Sequence, residues 1–372
     1  MPNLHRLRYL CIMIGGFLGP FAGQSLSVVL PEFASDFGIS LHLASLTMTA
    51  YMLPFAVTML FSTYIVRNLQ PTRVVRTAYV VIACASVVLV FSPVWWLFLA
   101  AYISAGIANA FTAPLLQLIL RHITPPEQLG KALGTYAAMQ SFGLFSAPLV
   151  GGATVTLGSW RWMYVVLLVS AVIIVLVGLP AVPAPGGSNV SRVLGWPVIR
   201  ACLTLLAVGT GVIGLSFMIA LHAGSLLDAP PLTRGFIVMA GGLTAFVLAR
   251  PVGGLADRFG PRPVMVVSLL VAAAAVLGIA FSPSMLVLAV LWGVAVLAAQ
   301  GAQVAVNMLV LASPAGGQLL STVQAFRFFG NALTPLTLLP LYGVTPVLGF
   351  GVDALLLVAV AGINAAAVRR KG

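Results

Sequence analysis

The chain has 372 residues, of which 61% are hydrophobic and only 6% charged, with a mean hydropathy of +1.12. Such a composition cannot cover the surface of a water-soluble domain, so lipid is the expected solvent and the expected fold class is all-α integral membrane. The formal net charge of +12 could suggest a nucleic-acid partner, but the placement of the basic residues, taken up below, assigns it to membrane insertion instead.

Unbroken apolar stretches of about twenty residues, the length a helix needs to cross ~30 Å of hydrocarbon, exclude outer-membrane strands, which alternate apolar and polar residues. The first run, Tyr9 to Leu30, follows Arg6 and Arg8 and exceeds the apolar core of a signal peptide, so it reads as span 1. Breaks at charges, prolines and glycines place the next five spans near 43–66, 74–93, 96–120, 130–157 and 161–182. Six more follow near 199–221, 232–255, 264–281, 284–311, 318–341 and 345–367. Between the sets, Val182-Pro183-Ala184-Pro185-Gly186-Gly187-Ser188-Asn189 cannot continue a helix. The expected organisation is therefore an N-terminal six-helix half (1–182), a cytoplasmic linker (183–198) and a C-terminal six-helix half (199–372).

Loops rich in Lys and Arg stay cytoplasmic, and with the N-terminus inside, 15 of the 18 basic residues fall on that side. The exceptions are Arg161 and Arg234 at the outer face and Arg327 within a span. Glu32, Asp36 and Asp228 also fall at the outer face. The reading is a multi-pass protein of the cytoplasmic membrane with both termini cytoplasmic and basic loops able to touch anionic lipid. Cys11, Cys84 and Cys202 lie in apolar stretches without CxxC spacing and read as small core residues.

An internal repeat accompanies this topology. Phe91-Ser92-Pro93 and Phe281-Ser282-Pro283 are 190 residues apart, Pro125 and Pro314 are 189 apart, and Arg67 and Arg258 are 191 apart. The common offset, more than any single match, points to two pseudo-symmetric halves of the kind many transporters use.

Gly253-Gly254-Leu255-Ala256-Asp257-Arg258-Phe259-Gly260-Pro261-Arg262-Pro263 resembles the signature loop of the major facilitator superfamily between spans 8 and 9. The first copy, Tyr64 to Arg73, keeps Arg67 and Arg73 but has Val66 at the acidic position. The resemblance implies twelve transmembrane helices and a gating loop carried by Gly254, Asp257, Arg258, Gly260 and Arg262, in which the charges lock one conformation. The same residues also suit a tight turn with topology-setting charges.

In span 5, Gly143, Ala147-Pro148 and Gly151-Gly152 resemble the antiporter motif of exporters in this superfamily. Gly143, Pro148, Gly151 and Gly152 are thus expected at a hinge or a helix-packing seam. Asp36 after Leu30-Pro31, Gly134 and Trp160-Arg161-Trp162 also resemble drug-efflux members. The resemblance implies efflux of drugs or metabolites by alternating access, with protons as coupling ions and a monomer as the working unit. Two departures weaken the local basis for proton coupling: Tyr102 stands where exporters commonly carry Arg, and spans 1 to 6 contain no Asp or Glu.

Polar side chains inside spans are costly unless they meet partners, water or substrate, which makes the few present here candidates for a substrate cavity. They are Gln24, Asn109, Gln117, Gln140, Gln300, Gln303, Asn307, Gln324 and Asn331. Gln300, Gln303 and Asn307 recur at i, i+3 and i+7, as do Gln324, Arg327 and Asn331, so each set shares one helical face. Amide bonding between packed helices is the plainer reading of each residue alone. Arg327 and Asp353 are the two charges placed near the bilayer centre, ~13 and ~12 Å from the nearest span ends. A lone charge there costs roughly 3 kcal/mol, so the two are expected to approach each other as a coupling pair, the alternatives being a permanent ion pair or a neutral Asp353 with Arg327 bonded to Gln324 and Asn331.

No catalytic constellation competes with these readings. Gly130-Lys131 lacks the upstream glycines of a phosphate loop, HExxH is absent, and His5, His42, His122 and His222 sit at span ends. No cofactor, metal or enzymatic activity is expected. The alternatives kept open are an importer of a small organic or inorganic anion drawn by Arg327, and a membrane receptor or scaffold.

Overall fold

The computed structural model describes residues 2–66, 68–125, 129–183, 195–312 and 316–369. Arg67, Arg370, Lys371 and most of the expected linker lie outside the described residues, as do the side chains of Tyr64, Lys131, Gly134 and Arg250. The chain divides into two compact units, Met1–Asn189 and Val190–Gly372.

The first unit contains α1 (Pro2–Gln24), α2 (Leu30–Phe37), α3 (Leu41–Ile65), α4 (Pro71–Phe91), α5 (Trp95–Asn109), α6 (Thr112–Ile123), α7 (Leu129–Thr156) and α8 (Trp162–Val177). The second contains α9 (Trp196–Gly211), a 3-10 turn (Ile213–Leu215), α10 (Ser216–Leu226), α11 (Pro231–Phe259), α12 (Pro261–Ile279), α13 (Met285–Leu311), α14 (Gly316–Val344) and α15 (Pro346–Arg369). No strand occurs among the described residues. Eight segments among them are long and apolar enough to cross a membrane, and Trp162–Val177 is a shorter apolar helix.

Local chemistry sets the boundaries. Ser40 and Ser284 cap α3 and α13 by accepting from the backbone N–H of Leu43 and Val287. Pro71, Pro231 and Pro261 occupy first turns, where a missing N–H costs nothing. Span 6 was expected to reach 182 but α8 stops at Val177, because Gly178 turns the chain at φ 73° and Pro180 follows.

Three expected spans are interrupted. Ser25 Oγ and Ser27 Oγ donate to the carbonyls of Ala22 and Gln24, competing with the helical ladder where α1 ends. Span 4 breaks at Ala110–Phe111 because Pro114 has no N–H for the Ala110 carbonyl. Span 7 breaks after Gly209-Thr210-Gly211, and Thr334 Oγ1 of α14 donates to the buried Thr210 carbonyl at 3.0 Å. Each interruption gives its freed backbone group a side-chain partner or a turn, as hydrocarbon requires.

The two units repeat the same neighbours. In the first, α1 packs on α7, α4 on α5 and α8, and α3 on α5. In the second, α9 packs on α14, α12 on α13 and α15, and α11 on α13. The repeated seams are glycine-mediated: a side chain on Gly143 would collide with the Phe17 carbonyl, and one on Gly330 with the Leu206 carbonyl.

Candidate functional site

The strongest polar constellation lies between α13 and α14. Arg327 donates through a guanidinium NH to Gln303 Oε1 at 2.6 Å, Gln303 Nε2 donates to Gln324 Oε1 at 3.4 Å, and Gln324 Nε2 donates to Asn307 Oδ1 at 2.6 Å. The i, i+3 and i+7 spacing on each helix turns both polar stripes toward one seam, and the alternation of donor and acceptor links them into one chain. All four side chains are half-buried. Arg327 lies 4.7 Å from the Phe328 ring, and its Nε is buried without a partner. A positive, donor-rich wall with unused capacity suits a solute rich in acceptors or carrying a negative group.

The other members of the two stripes are placed differently. Gln300 is half-buried without a side-chain hydrogen bond, and Asn331 is buried. In the first unit Gln140 is half-buried and unbonded, Gln117 is exposed, and Gln24 is buried with a polar partner.

The expected Arg327–Asp353 pair does not form. Arg327 bonds Gln303 instead, and neither Asp353 oxygen has a partner among the described residues. Depth alone suggested their meeting, but two residues at equal depth on neighbouring helices meet only if their faces do. Asp353 instead faces α9, where it packs against Gly211 at the break before the 3-10 turn.

In the first unit, Asn109 joins a buried network that sequence reading missed. Its Nδ2 donates to Tyr51 OH at 3.0 Å, and Thr112 Oγ1 donates to its Oδ1 at 2.8 Å. Tyr102, at the position where an Arg was expected by resemblance, donates to the Ala22 carbonyl at 3.0 Å and lies near Ser25 Oγ, which Tyr164 OH also reaches at 3.2 Å. Rings of Phe98, Trp160 and Phe33 continue this cluster at centroid separations of 5.0 to 5.6 Å. Aromatic residues at three- and four-residue spacing, as in Phe98 and Tyr102, were the available signal.

The gating segment is mostly helical, which corrects its reading as a loop. Gly254, Asp257 and Arg258 lie on the last turns of α11, Gly260 alone makes the turn at φ 84°, and Arg262 sits in the first turn of α12. Asp257 is exposed without an ion pair among the described residues, and Arg258 lies over the Phe259 ring at 5.2 Å. The charge network expected there is therefore not assembled within the described part of this unit. Of the span 5 motif, Gly143 and Gly151 lie in tight seams and Pro148 and Gly152 are buried, an arrangement that serves packing.

Asp36 and Arg161 were placed separately at the outer face, and the structure joins them at 2.7 Å. Trp160 Nε1 donates to the same carboxylate oxygen at 3.2 Å, and the guanidinium lies over the Trp160 and Phe37 rings at 4.5 and 4.9 Å. Opposite charges at one membrane level were the signal that could have found the pair.

Known proteins resemble the chain across most of its length. The riboflavin transporter RibZ of Clostridioides difficile is 26% identical over 202 residues, 52% of this chain and 43% of that protein. A multidrug resistance protein B homolog of Mycobacterium tuberculosis is 21% identical over 315 residues, 67% of this chain and 58% of that protein. The match thus spans roughly half the length of these relatives. The solved structure of a D-xylose–proton symporter superposes with a TM-score of 0.79, covering 96% of both chains at 15% identity, which speaks for the fold alone. Residues 12–335 match the sequence profile of the Major Facilitator Superfamily, and the chain belongs to that family.

Proposed function

We propose that this chain is a secondary transporter that exports a small organic solute, a drug or a metabolite, across the cytoplasmic membrane by alternating access. In this reading twelve spans form two six-helix halves, 1–182 and 199–372, joined by a cytoplasmic linker at 183–198, with both termini cytoplasmic. Protons supply the driving force, and the working unit is a monomer. The observation that carries the proposal is the hydrogen-bonded chain from Arg327 through Gln303 and Gln324 to Asn307. A polar seam of this size inside lipid-facing helices is costly unless it serves a polar cargo. Family membership supports transport, and the likeness to a multidrug resistance homolog and a riboflavin transporter supports an organic solute with several acceptors.

Gln300 and Asn331 extend the proposed cavity wall, and Asp257, Arg258 and Arg262 provide gating charges that pair in another conformation. Flux into proteoliposomes under an imposed pH gradient tests the proposal, using riboflavin and a set of multidrug dyes. Gradient-driven movement of at least one solute, abolished in Arg327→Gln, is the expected result. Binding without flux would instead indicate a receptor or scaffold.

A second reading, import of a small anion, is favoured by the unpartnered Nε of Arg327 and the lack of any acidic residue bonded to this cluster. Uptake of a carboxylate or phosphate down its own gradient, with no response of the dyes, would select it.

A further inference from the structure

At one end of the second unit, the first turns of α9 and α12 meet the ends of α13 and α15 around a partly open pocket of about 110 Å³. Arg200 and Arg262 both line it, the first from α9 and the second from α12. Neither makes a hydrogen bond or ion pair among the described residues, and the Nε of Arg200 is buried without a partner. Asn364 also lines the pocket, but its Nδ2 is already committed to Thr204 Oγ1 and the Val360 carbonyl.

Two guanidinium groups in one small pocket repel each other, and a partly buried cation without a counter-charge is unfavourable. The protein has few anions with which to relieve this. It contains six acidic residues, and none among the described residues lines the pocket. Asp36 is committed to Arg161, Asp353 is buried against Gly211, and Asp257 is exposed without a partner on α11. Asp228 follows α10, at the far end of the span that α9 begins. In this conformation no described acidic residue of this unit supplies the counter-charge, and an anion from outside the chain suits the pocket.

Three features identify it. The volume suits one tetrahedral oxyanion, a group that guanidinium forks bind through paired N–H donors. The remaining lining, including Met265, Leu309, Val310 and Leu319, is apolar and accommodates the hydrocarbon next to such a group. Trp196, 59% exposed at the first residue of α9, has the placement of an interfacial anchor and sets the pocket at headgroup level. We propose that Arg200 and Arg262 bind the phosphate of an anionic membrane phospholipid. This site is separate from the Arg327 seam and shares Arg262 with the gating segment, but lipid binding there does not depend on the transport reading.

The test uses the full chain purified in detergent, with phosphatidylglycerol, phosphatidylcholine or inorganic phosphate added, and reads thermal unfolding and lipid retained in native mass spectrometry. Phosphatidylglycerol should raise Tm by about 3 °C or more and remain bound, while phosphatidylcholine should do neither. The Arg200→Gln/Arg262→Gln variant should lose that rise and bind phosphatidylglycerol at least about tenfold more weakly. Arg73→Gln/Arg76→Gln, an equal charge change on two exposed residues of α4, should retain both. If the double variant does not fold, each single substitution should weaken retention by itself. An equal rise with inorganic phosphate alone would assign the pocket to a soluble anion and overturn the lipid proposal. Phosphatidylglycerol retention unchanged by the arginine substitutions, or equal retention of both lipids, would overturn it as well.

Discussion

Asp353 packs against Gly211: a methyl group built on that glycine would come within 2.6 Å of Oδ1, and neither carboxylate oxygen has a partner. The contact lies where α9 gives way to a 3-10 turn, so a buried acid abuts a helix break. Gly211→Ala should destabilise the chain by about 1–3 kcal/mol through overpacking. Asp353→Asn, which keeps the shape and removes a buried unpaired acid, should leave Tm unchanged or higher. Thermal unfolding in detergent reads both, and a marked loss in Asp353→Asn would reveal a partner for the acid.

Because Arg327 and Asp353 share no hydrogen-bond partner, their substitutions should act independently. The effects of Arg327→Gln and Asp353→Asn on flux should combine within about 0.5 kcal/mol of additivity in the double variant. Strong coupling between them would mean that the two residues meet in another conformation.

Gln303 holds Arg327, whereas Gln300, one turn away on α13, bonds nothing. Gln303→Leu removes a charge-assisted hydrogen bond worth about 1.5–3 kcal/mol and should reduce flux tenfold or more. Gln300→Leu should change it less than threefold. Equal losses would show that general polarity of the seam matters more than this bond.

Two glycines of the signature segment answer to different constraints. A side chain at Gly254 meets nothing within 4 Å, while Gly260 adopts φ 84° and ψ 151°, a region open essentially to glycine. Gly254→Ala should leave stability unchanged or raise it by up to about 1 kcal/mol, and Gly260→Ala should lower it by about 1–3 kcal/mol. If Gly254→Ala instead abolishes flux in a stable protein, the glycine is required in a state where another helix approaches it.

The Arg161–Asp36 pair is partly open to solvent, with side chains 20% and 45% exposed. Asp36→Asn should therefore cost at most about 1 kcal/mol, and added salt should shrink the difference. Arg161→Lys keeps the charge but loses the planar stacking on Trp160 and Phe37, so it should not restore the full stability.

Composition and span length by themselves determined that this is an all-helical membrane chain, since a surface so poor in charge has no other stable solvent. The signature residues around Asp257 disclosed the superfamily, and the i, i+3, i+7 spacing of Gln300, Gln303 and Asn307 and of Gln324, Arg327 and Asn331 put each stripe on one face. Those are properties of residues near one another in the chain, where helical geometry converts spacing directly into direction. The tertiary structure alone decided which faces meet. It turned the α13 stripe onto the α14 stripe, sent Asp353 to Gly211 rather than to Arg327, and joined Asp36 to Arg161 over a separation of 125 residues. It also brought Arg200 and Arg262 into one pocket, although sequence offered the first as a topology-setting charge and the second as part of the gating loop. Depth along a helix follows from counting residues, but rotation about its axis is set by packing against neighbours through small residues such as Gly143, Gly209 and Gly330, and that partner choice is not written in any local pattern.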